Sequence, residues 1–145
     1  MSKSNALENS YLLLLFNNTN IANVGDATGL RGSAAAGSLF FSLHTADPDE
    51  AGTQSTNEVA YTSYARVAVA RSGAGFVVTG NAVALAADVN FPAGTGGSGT
   101  ATHWGIGTSA SGAGTLLYKG SISPSIVCGN GVTPALTAGT IVTED

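Results

Sequence analysis

The sequence predicts a mainly β protein, an antiparallel jelly roll or β-sandwich of about eight strands with one short N-terminal helix. Short apolar segments with a period of two recur along the chain, turns rich in the 20 glycines separate them, and no helical pattern falls between them. Strands in that arrangement form a sandwich, jelly roll or barrel. With 145 residues, we expect a single domain 1–145, in which 1–38 forms the helix and an extended loop and 39–145 the sandwich.

Residues 5–17 (NALENSYLLLLFN) form the predicted helix. Asn5 is the predicted N-cap, Glu8 follows three positions later as in a capping box, and Asn17-Asn18 ends the helix. Two sets of apolar residues share its surface at helical spacing: Leu7, Tyr11, Leu14 and Leu15 on one face, and Leu12, Leu13 and Phe16 beside them. We expect the helix to pack on the sheet and also to dock on a partner subunit.

The segment 18–38 contains four glycines and no clear periodicity, which predicts a long loop. Loops of about twenty residues in compact domains are usually functional or disordered, so this loop is the expected contact segment besides the helix. The candidate subunit-contact residues are Leu12, Leu13, Phe16, Ile21, Val24, Leu30 and Arg31.

The stretch 39–71 is the predicted centre of the sheet. In 39–44 (LFFSLH) the alternating residues are not consistently polar, so this strand is expected to be buried on more than one side. In 64–71 (YARVAVAR) the period is again two, with Val67 and Val69 on one side. The two strands are expected to face each other across the polar loop 45–58.

That polar loop carries turn chemistry at Asp47-Pro48-Asp49. Asp47, Asp49 and Glu50 could supply the oxygen ligands that calcium favours, but the EF-hand spacing is missing. An acidic surface loop is the main interpretation, and an ion site is the alternative.

The segment 76–91 predicts a hairpin with its turn at Gly80-Asn81, closed by Pro92. The glycine-rich segment 94–100 (GTGGSGT) is predicted to be a flexible loop, because it lacks the lysine and the following helix of a phosphate-binding loop.

Further strands are expected towards the C-terminal end, at 102–108, 115–119, 121–128 and 139–143. In the first of them Trp104 and Ile106 share a face. Pro124 interrupts the segment 121–128, which fits an edge strand or a bulge better than a central strand.

Charged residues make up only 10 % of the chain, and the net charge is −4. The five lysines and arginines are scattered, so no basic patch for nucleic acid is predicted. The apolar run 12–16 is too short to span a bilayer, and no signal peptide is expected. The single cysteine, Cys128, is expected to be buried.

No catalytic constellation is found, so we expect a protein that is not an enzyme, with no catalytic, cofactor-binding or metal-binding residues. His44 and His103 are the only histidines, no nucleophile elbow occurs, and His44 is expected to be a hydrogen-bonded structural residue. Tyr61, Tyr64 and Trp104 favour core or interface packing, and a sugar-stacking face is the alternative.

Three segments resemble a known family when taken in order: 43–71 (LHTADPDEAGTQSTNEVAYTSYARVAVAR), 91–120 (FPAGTGGSGTATHWGIGTSASGAGTLLYKG) and 138–145 (AGTIVTED). Together with a helix like 6–16 (ALENSYLLLLF), they resemble small virion proteins of tailed bacteriophages over nearly the whole chain. Members are often labelled tail-fibre or minor structural proteins. The chain is also similar to the jelly-roll cement, or decoration, proteins that bind the outside of tailed-phage capsids.

The resemblance implies a non-enzymatic, oligomeric structural component of a virion. The first hypothesis is a capsid cement protein that binds the outer surface of the capsid and bridges its subunits. Its expected partners are the major capsid protein and further copies of itself, as a dimer or trimer, with no nucleic acid, membrane or cofactor, and assembly is expected in the host cytoplasm. The alternatives are a tail, baseplate or tail-fibre accessory protein and, as a third, a carbohydrate-binding module.

Overall fold

The computed structural model describes residues 2–144, which form one α-helix and nine β-strands. In chain order they are α1 Asn5–Asn17, β1 Ser38–His44, β2 Val67–Ala70, β3 Phe76–Thr79, β4 Ala82–Leu85, β5 Val89–Asn90, β6 Ser98–Gly107, β7 Leu116–Gly129, β8 Ala135–Leu136 and β9 Thr140–Thr143. The mainly β prediction is confirmed, and the antiparallel pairing is consistent with a β-sandwich.

The strands form three sheets, with the orders β2-β1-β6-β7, β3-β4-β9 and β5-β8. The chain also divides into two compact units. The first unit contains residues 2–38, 70–87 and 137–144, and the second contains residues 39–69 and 88–136. The three-stranded sheet lies in the first unit. The four-stranded sheet lies in the second unit, except for its terminal residues Ser38 and Ala70, which belong to the first.

Strand β1 is a central strand of the second unit. Its residues 41–44 are all buried, so both of its faces are covered, as its sequence predicts. The valines of β2 are half-buried and its alanines exposed, which confirms the alternation predicted for that strand. Cys128 is buried, also as predicted.

Strand β7 is one strand of 14 residues, where the sequence predicts two. Its pairing with β6 steps from His103↔Ser121 to Ala101↔Ile126, so residues 122–125 lie opposite the single residue Thr102. Pro124, which has no N–H to donate, falls in this excursion, and β7 is the edge strand of its sheet. The edge-or-bulge prediction for Pro124 is confirmed, and the strand continues beyond it.

In the first unit, α1 has the predicted bounds, and Asn18 ends it in the left-handed conformation with a φ of 56°. The N-cap is Ser4, one residue before the predicted Asn5. The Ser4 hydroxyl accepts the N–H of Leu7 at 3.3 Å and its carbonyl accepts the N–H of Glu8 at 3.0 Å. Serine and asparagine cap equally well, so the sequence alone does not separate the two positions.

One stripe of α1 is buried, and it contains two of the apolar residues noted in the sequence. Glu8, Leu12 and Phe16 are buried at a spacing of four, whereas Leu7 and Tyr11 are 46 % and 41 % exposed. Of the two predicted sets of apolar residues, the one that contains Leu12 and Phe16 is therefore packed, and the side with Leu7 and Tyr11 is exposed. The bulky Phe16 ring lies in the core of the unit. Leu12 and Glu8 are buried with it because residues four apart lie on the same side of a helix.

The hairpin of the first unit is formed at its predicted turn, since β3 and β4 pair from Phe76↔Leu85 to Thr79↔Ala82. The second strand ends at Leu85 and does not continue to Phe91 as predicted, because Val89–Asn90 forms β5, which pairs with β8 in another sheet. The two-residue turn at Gly80-Asn81 has a φ of 61° at its glycine. Among the residues described, no helix has the length and apolar character needed to cross a membrane.

Candidate functional site

Three of the seven predicted contact residues lie on α1. Leu12 and Phe16 are 0 % exposed, and the Phe16 ring packs edge-on against Phe76 with centroids 5.0 Å apart. Leu13 is half-buried. Leu12 and Phe16 present no surface to a partner in this structure, because they form the core of the first unit.

The other four predicted contact residues lie in the loop between α1 and β1. Ile21 is 9 % exposed, whereas Val24 and Leu30 are 45 % and 48 % exposed, and Arg31 is exposed as well. The guanidinium of Arg31 has no hydrogen-bond or ion-pair partner among residues 2–144. Val24, Leu30 and Arg31 are termed the loop patch below.

Hydrogen bonds within this loop fix its conformation. Ile21 and Leu30 exchange two backbone hydrogen bonds of 2.9 Å, and Asp26 Oδ1 accepts the N–H of Thr28 at 2.7 Å. Gly29 has a φ of +65°, and a Cβ at this position would collide with the carbonyl oxygen of Ile21. The predicted loop is thus held as a closed turn that carries the loop patch.

Arg71 ties this loop to the C-terminal end of α1. Its Nε and Nη2 donate to the carbonyl oxygens of Leu15 and Leu14 at 2.7 and 2.8 Å, and its Nη1 donates to that of Ala36 at 3.0 Å. The last carbonyls of a helix lack partners within it and carry partial negative charge, so a guanidinium stabilises them. Sequence reasoning missed this role, because its only signal is an arginine at the end of an apolar strand.

In the second unit, Arg66, Glu58 and Tyr64 form a hydrogen-bonded network. Arg66 Nε lies 2.7 Å from Glu58 Oε1, and Arg66 Nη2 lies 2.8 Å from Glu58 Oε2. The Tyr64 hydroxyl donates to Glu58 Oε1 at 2.9 Å and accepts the N–H of Leu43 at 3.0 Å. The hydrogen bond to Glu58 raises the pKa of Arg66, and burial raises the pKa of Tyr64 well above its usual value.

The same arginine holds the turn 109–114 in place. Arg66 Nη1 donates to the carbonyl of Ser109 at 2.9 Å, and Nη2 donates to that of Gly112 at 2.7 Å. A hollow of about 250 Å³ lies beside this network. Sequence reasoning missed the pairing of Arg66 with Glu58, since nothing local links the two residues.

A second hollow, of about 180 Å³, lies where the loop 45–58 meets the start of β7. It is termed the acidic hollow, and its lining residues are Asp49, Glu50, Leu116, Leu117, Tyr118 and Lys119. Lys119 Nζ donates to Asp47 Oδ1 at 2.7 Å. This bond lowers the pKa of Asp47 and raises the pKa of Lys119.

The side chains of Asp49 and Glu50 have no hydrogen-bond partner in the described part of the chain. The carboxylates of Asp47, Asp49 and Glu50 therefore outnumber the single ammonium in this region, that of Lys119. Within residues 2–144, no group of three His, Cys, Asp or Glu side chains is arranged to hold a metal ion.

His44 is the hydrogen-bonded structural residue that the sequence predicts. Its ring is 0 % exposed, with Nδ1 2.7 Å from the carbonyl oxygen of Thr56 and Nε2 2.8 Å from Ser42 Oγ. Burial lowers the pKa of His44. Enclosure of the ring therefore favours the neutral imidazole over the charged one.

The aromatic residues considered for a sugar-stacking face are divided between core contacts. Tyr61 is 2 % exposed, and its ring lies edge-on to Tyr64 at 5.4 Å between centroids. The rings of Tyr64 and Phe91 are stacked with their centroids 6.2 Å apart, and the ring centroids of Trp104 and Phe41 are 6.4 Å apart. Core packing of Tyr61 and Tyr64 is confirmed.

Large apolar side chains exposed at the surface are concentrated in the first unit. Of those in the described residues, five lie there and one, Val127, lies in the second unit. The five are Leu7, Tyr11, Val24, Leu30 and Val77.

Comparison with models of protein families matches residues 2–144 to the family described as "Podophage GP4 fiber I protein gp80". A search of curated proteins finds no match. The matched description names a fibre protein of a phage particle, and the match covers nearly the entire chain. The chain therefore belongs to the podophage GP4 fiber I protein gp80 family, a family of phage virion structural proteins.

Proposed function

We propose that the protein is a structural component of a phage tail fibre, or of the site at which a fibre attaches to the particle, and that it is not an enzyme. The observation that carries this proposal is the family match over residues 2–144, whose description names a fibre protein. A tail-fibre role was the alternative in the sequence interpretation, and the family description favours it over capsid cement.

The side-chain chemistry suits a rigid building block. Every buried side-chain nitrogen or oxygen in the described residues has a hydrogen-bond partner, which stabilises one arrangement against others. Arg71 and Arg66 each fix a loop through several carbonyl oxygens. A module that transmits force in a particle benefits from loops held in this way.

The first unit offers the surface for attachment. Its exposed apolar residues include Leu7 and Tyr11, one turn apart on α1. Contiguous exposed apolar surface commonly marks a protein–protein contact. We expect a neighbouring virion protein to cover this face of the helix.

The capsid cement hypothesis is the second candidate, because the sequence also resembles the jelly-roll decoration proteins of tailed-phage capsids. A cement protein would bridge capsid subunits through many modest contacts repeated over a fixed lattice. Its partner would be the major capsid protein, on the outside of the shell.

Copy number separates the two candidates. The number of copies per purified particle is measured by quantitative mass spectrometry against the major capsid protein. A few to a few tens of copies, with antibody labelling at the tail, is the expected result. Several hundred copies, with labelling over the whole shell, would overturn the fibre proposal in favour of cement.

A further inference from the structure

We propose that the protein self-associates by docking the loop patch of one copy into the acidic hollow of a second copy. This inference rests on the proposed function as a fibre component and names one partner of it, a further copy of the same chain. The contact joins two different surfaces, Val24, Leu30 and Arg31 on one copy and the hollow beside β7 on the other.

The acidic hollow selects for a partner that is both cationic and apolar. Leu116, Leu117 and Tyr118 are half-buried in its wall, whereas Asp49 and Glu50 are exposed at it. Lys119 is already bound to Asp47 at 2.7 Å. Asp47, Asp49 and Glu50 all act on this one ammonium, so the region keeps a net negative charge that favours a positive group brought by another molecule.

Among the lysine and arginine side chains of residues 2–144, one exposed cation is free to fill this role. Lys3 lies 2.8 Å from Glu144 Oε2, and Lys119 is bound to Asp47. The guanidinium groups of Arg66 and Arg71 are held by internal hydrogen bonds. Arg31 remains, without a partner among the residues described.

The surroundings of Arg31 supply the apolar part. Leu30 precedes it and is 48 % exposed, and Val24, in the same loop, is 45 % exposed. Asp26, also in this loop, is engaged by the N–H of Thr28 at 2.7 Å. One loop therefore exposes a guanidinium and two aliphatic side chains, and the hollow combines exposed carboxylates with two leucines and a tyrosine.

A contact between two unlike surfaces has a structural consequence. After the first contact, one copy keeps a free hollow and the other keeps a free patch. These two surfaces can meet each other in a closed dimer, or bind further copies until a ring closes or an open chain forms.

Charge reversal on the purified full-length chain tests the proposal. Arg31→Glu alone, and Asp49→Arg with Glu50→Arg, are each expected to weaken self-association by about tenfold in Kd, measured by sedimentation at low salt. Combining the two sets is expected to restore the Kd to within about threefold of the original chain, because opposite charges face each other again. Thr133→Glu, an exposed charge change placed elsewhere, is the matched control and leaves the Kd unchanged.

Two outcomes would overturn the inference. One is a chain that stays monomeric at low salt up to about millimolar concentration, the weak limit of specific association. The other is self-association that neither reversal weakens or that the combined reversal does not restore, while circular dichroism shows each variant folded. The location of the protein is measured on particles and its self-association on the purified chain, so failure of one proposal is distinguishable from failure of the other.

Discussion

Arg66 and Glu58 form a two-point ion pair in the second unit, with distances of 2.7 Å between Nε and Oε1 and 2.8 Å between Nη2 and Oε2. The Arg66 side chain is 2 % exposed and that of Glu58 is 18 % exposed. When one partner of an enclosed pair is removed, the other keeps its desolvation penalty without the attraction that offsets it.

Replacing Arg66 by methionine is expected to lower the free energy of unfolding by about 3 kcal/mol. The change leaves Glu58 without its cation and releases the turn 109–114. Urea denaturation near pH 7 measures the loss. Lys119→Met is the matched control: it breaks the solvent-exposed pair with Asp47 and should barely move the midpoint. Equal effects of the two changes would contradict the prediction.

Phe16→Ala is expected to destabilise the first unit by about 3–5 kcal/mol, because it removes a fully buried ring and leaves a cavity beside Phe76. Tyr11→Ala on the same helix removes a ring that is 41 % exposed, and should cost far less. Thermal and urea unfolding compare the two. A larger loss at Tyr11 would mean that the opposite face of α1 carries the packing.

Gly29→Ala should open the loop that carries the loop patch, at a cost of about 1–3 kcal/mol. Gly29 and Gly25 both have positive φ, +65° and +84°, but only at Gly29 would a Cβ meet backbone. Gly25→Ala therefore controls for conformational strain alone. Hydrogen exchange at the amides of Ile21 and Leu30 is the measurement, and equal protection in the two variants would argue against the collision.

Acid should destabilise the protein through His44. Burial lowers the pKa of His44 below its ordinary 6.5, so below about pH 6.5 the unfolded chain binds protons that the folded chain does not. The free energy of unfolding therefore falls as the pH falls through this range. Urea denaturation near pH 7.5 and about pH 5 measures the fall in the free energy of unfolding between the two conditions. This fall should be smaller in the His44→Gln variant.

His103→Gln is the matched control for this pH effect, since His103 is only partly buried. The acid loss should persist in that variant. An unchanged acid loss in His44→Gln would assign the effect to other groups.

Local signals in the sequence were sufficient for the elements that depend on local chemistry. Helix α1 ends where the asparagines predict, and the hairpin turns at Gly80-Asn81. The prediction of a flexible loop over the glycine-rich segment 94–100 is wrong for its last three residues, because they belong to strand β6, Ser98–Gly107. The first residues of β6 pair with the end of β7. Because that partner is distant in the sequence, no local pattern reveals the strand.

The candidate site was predicted only in part, and for the same reason. The loop residues Val24, Leu30 and Arg31 are exposed as a contact segment requires, whereas Leu12 and Phe16 are buried. Apolar side chains suit a core and an interface equally well, and tertiary packing decides between the two. The acidic hollow combines an acidic turn with a strand more than sixty residues further along the chain, which no spacing rule connects.

The order in which segments enter the first unit has a consequence for biosynthesis. Its three-stranded sheet pairs β4 with β9, and its residues come from 2–38, 70–87 and 137–144. During translation the helix and the β3–β4 hairpin emerge long before β9, so the edge of β4 stays open while residues 88–136 of the second unit are made. Completion of the first unit therefore waits for β9, and a nascent chain stalled before residue 137 exposes an unpaired strand edge to chaperones.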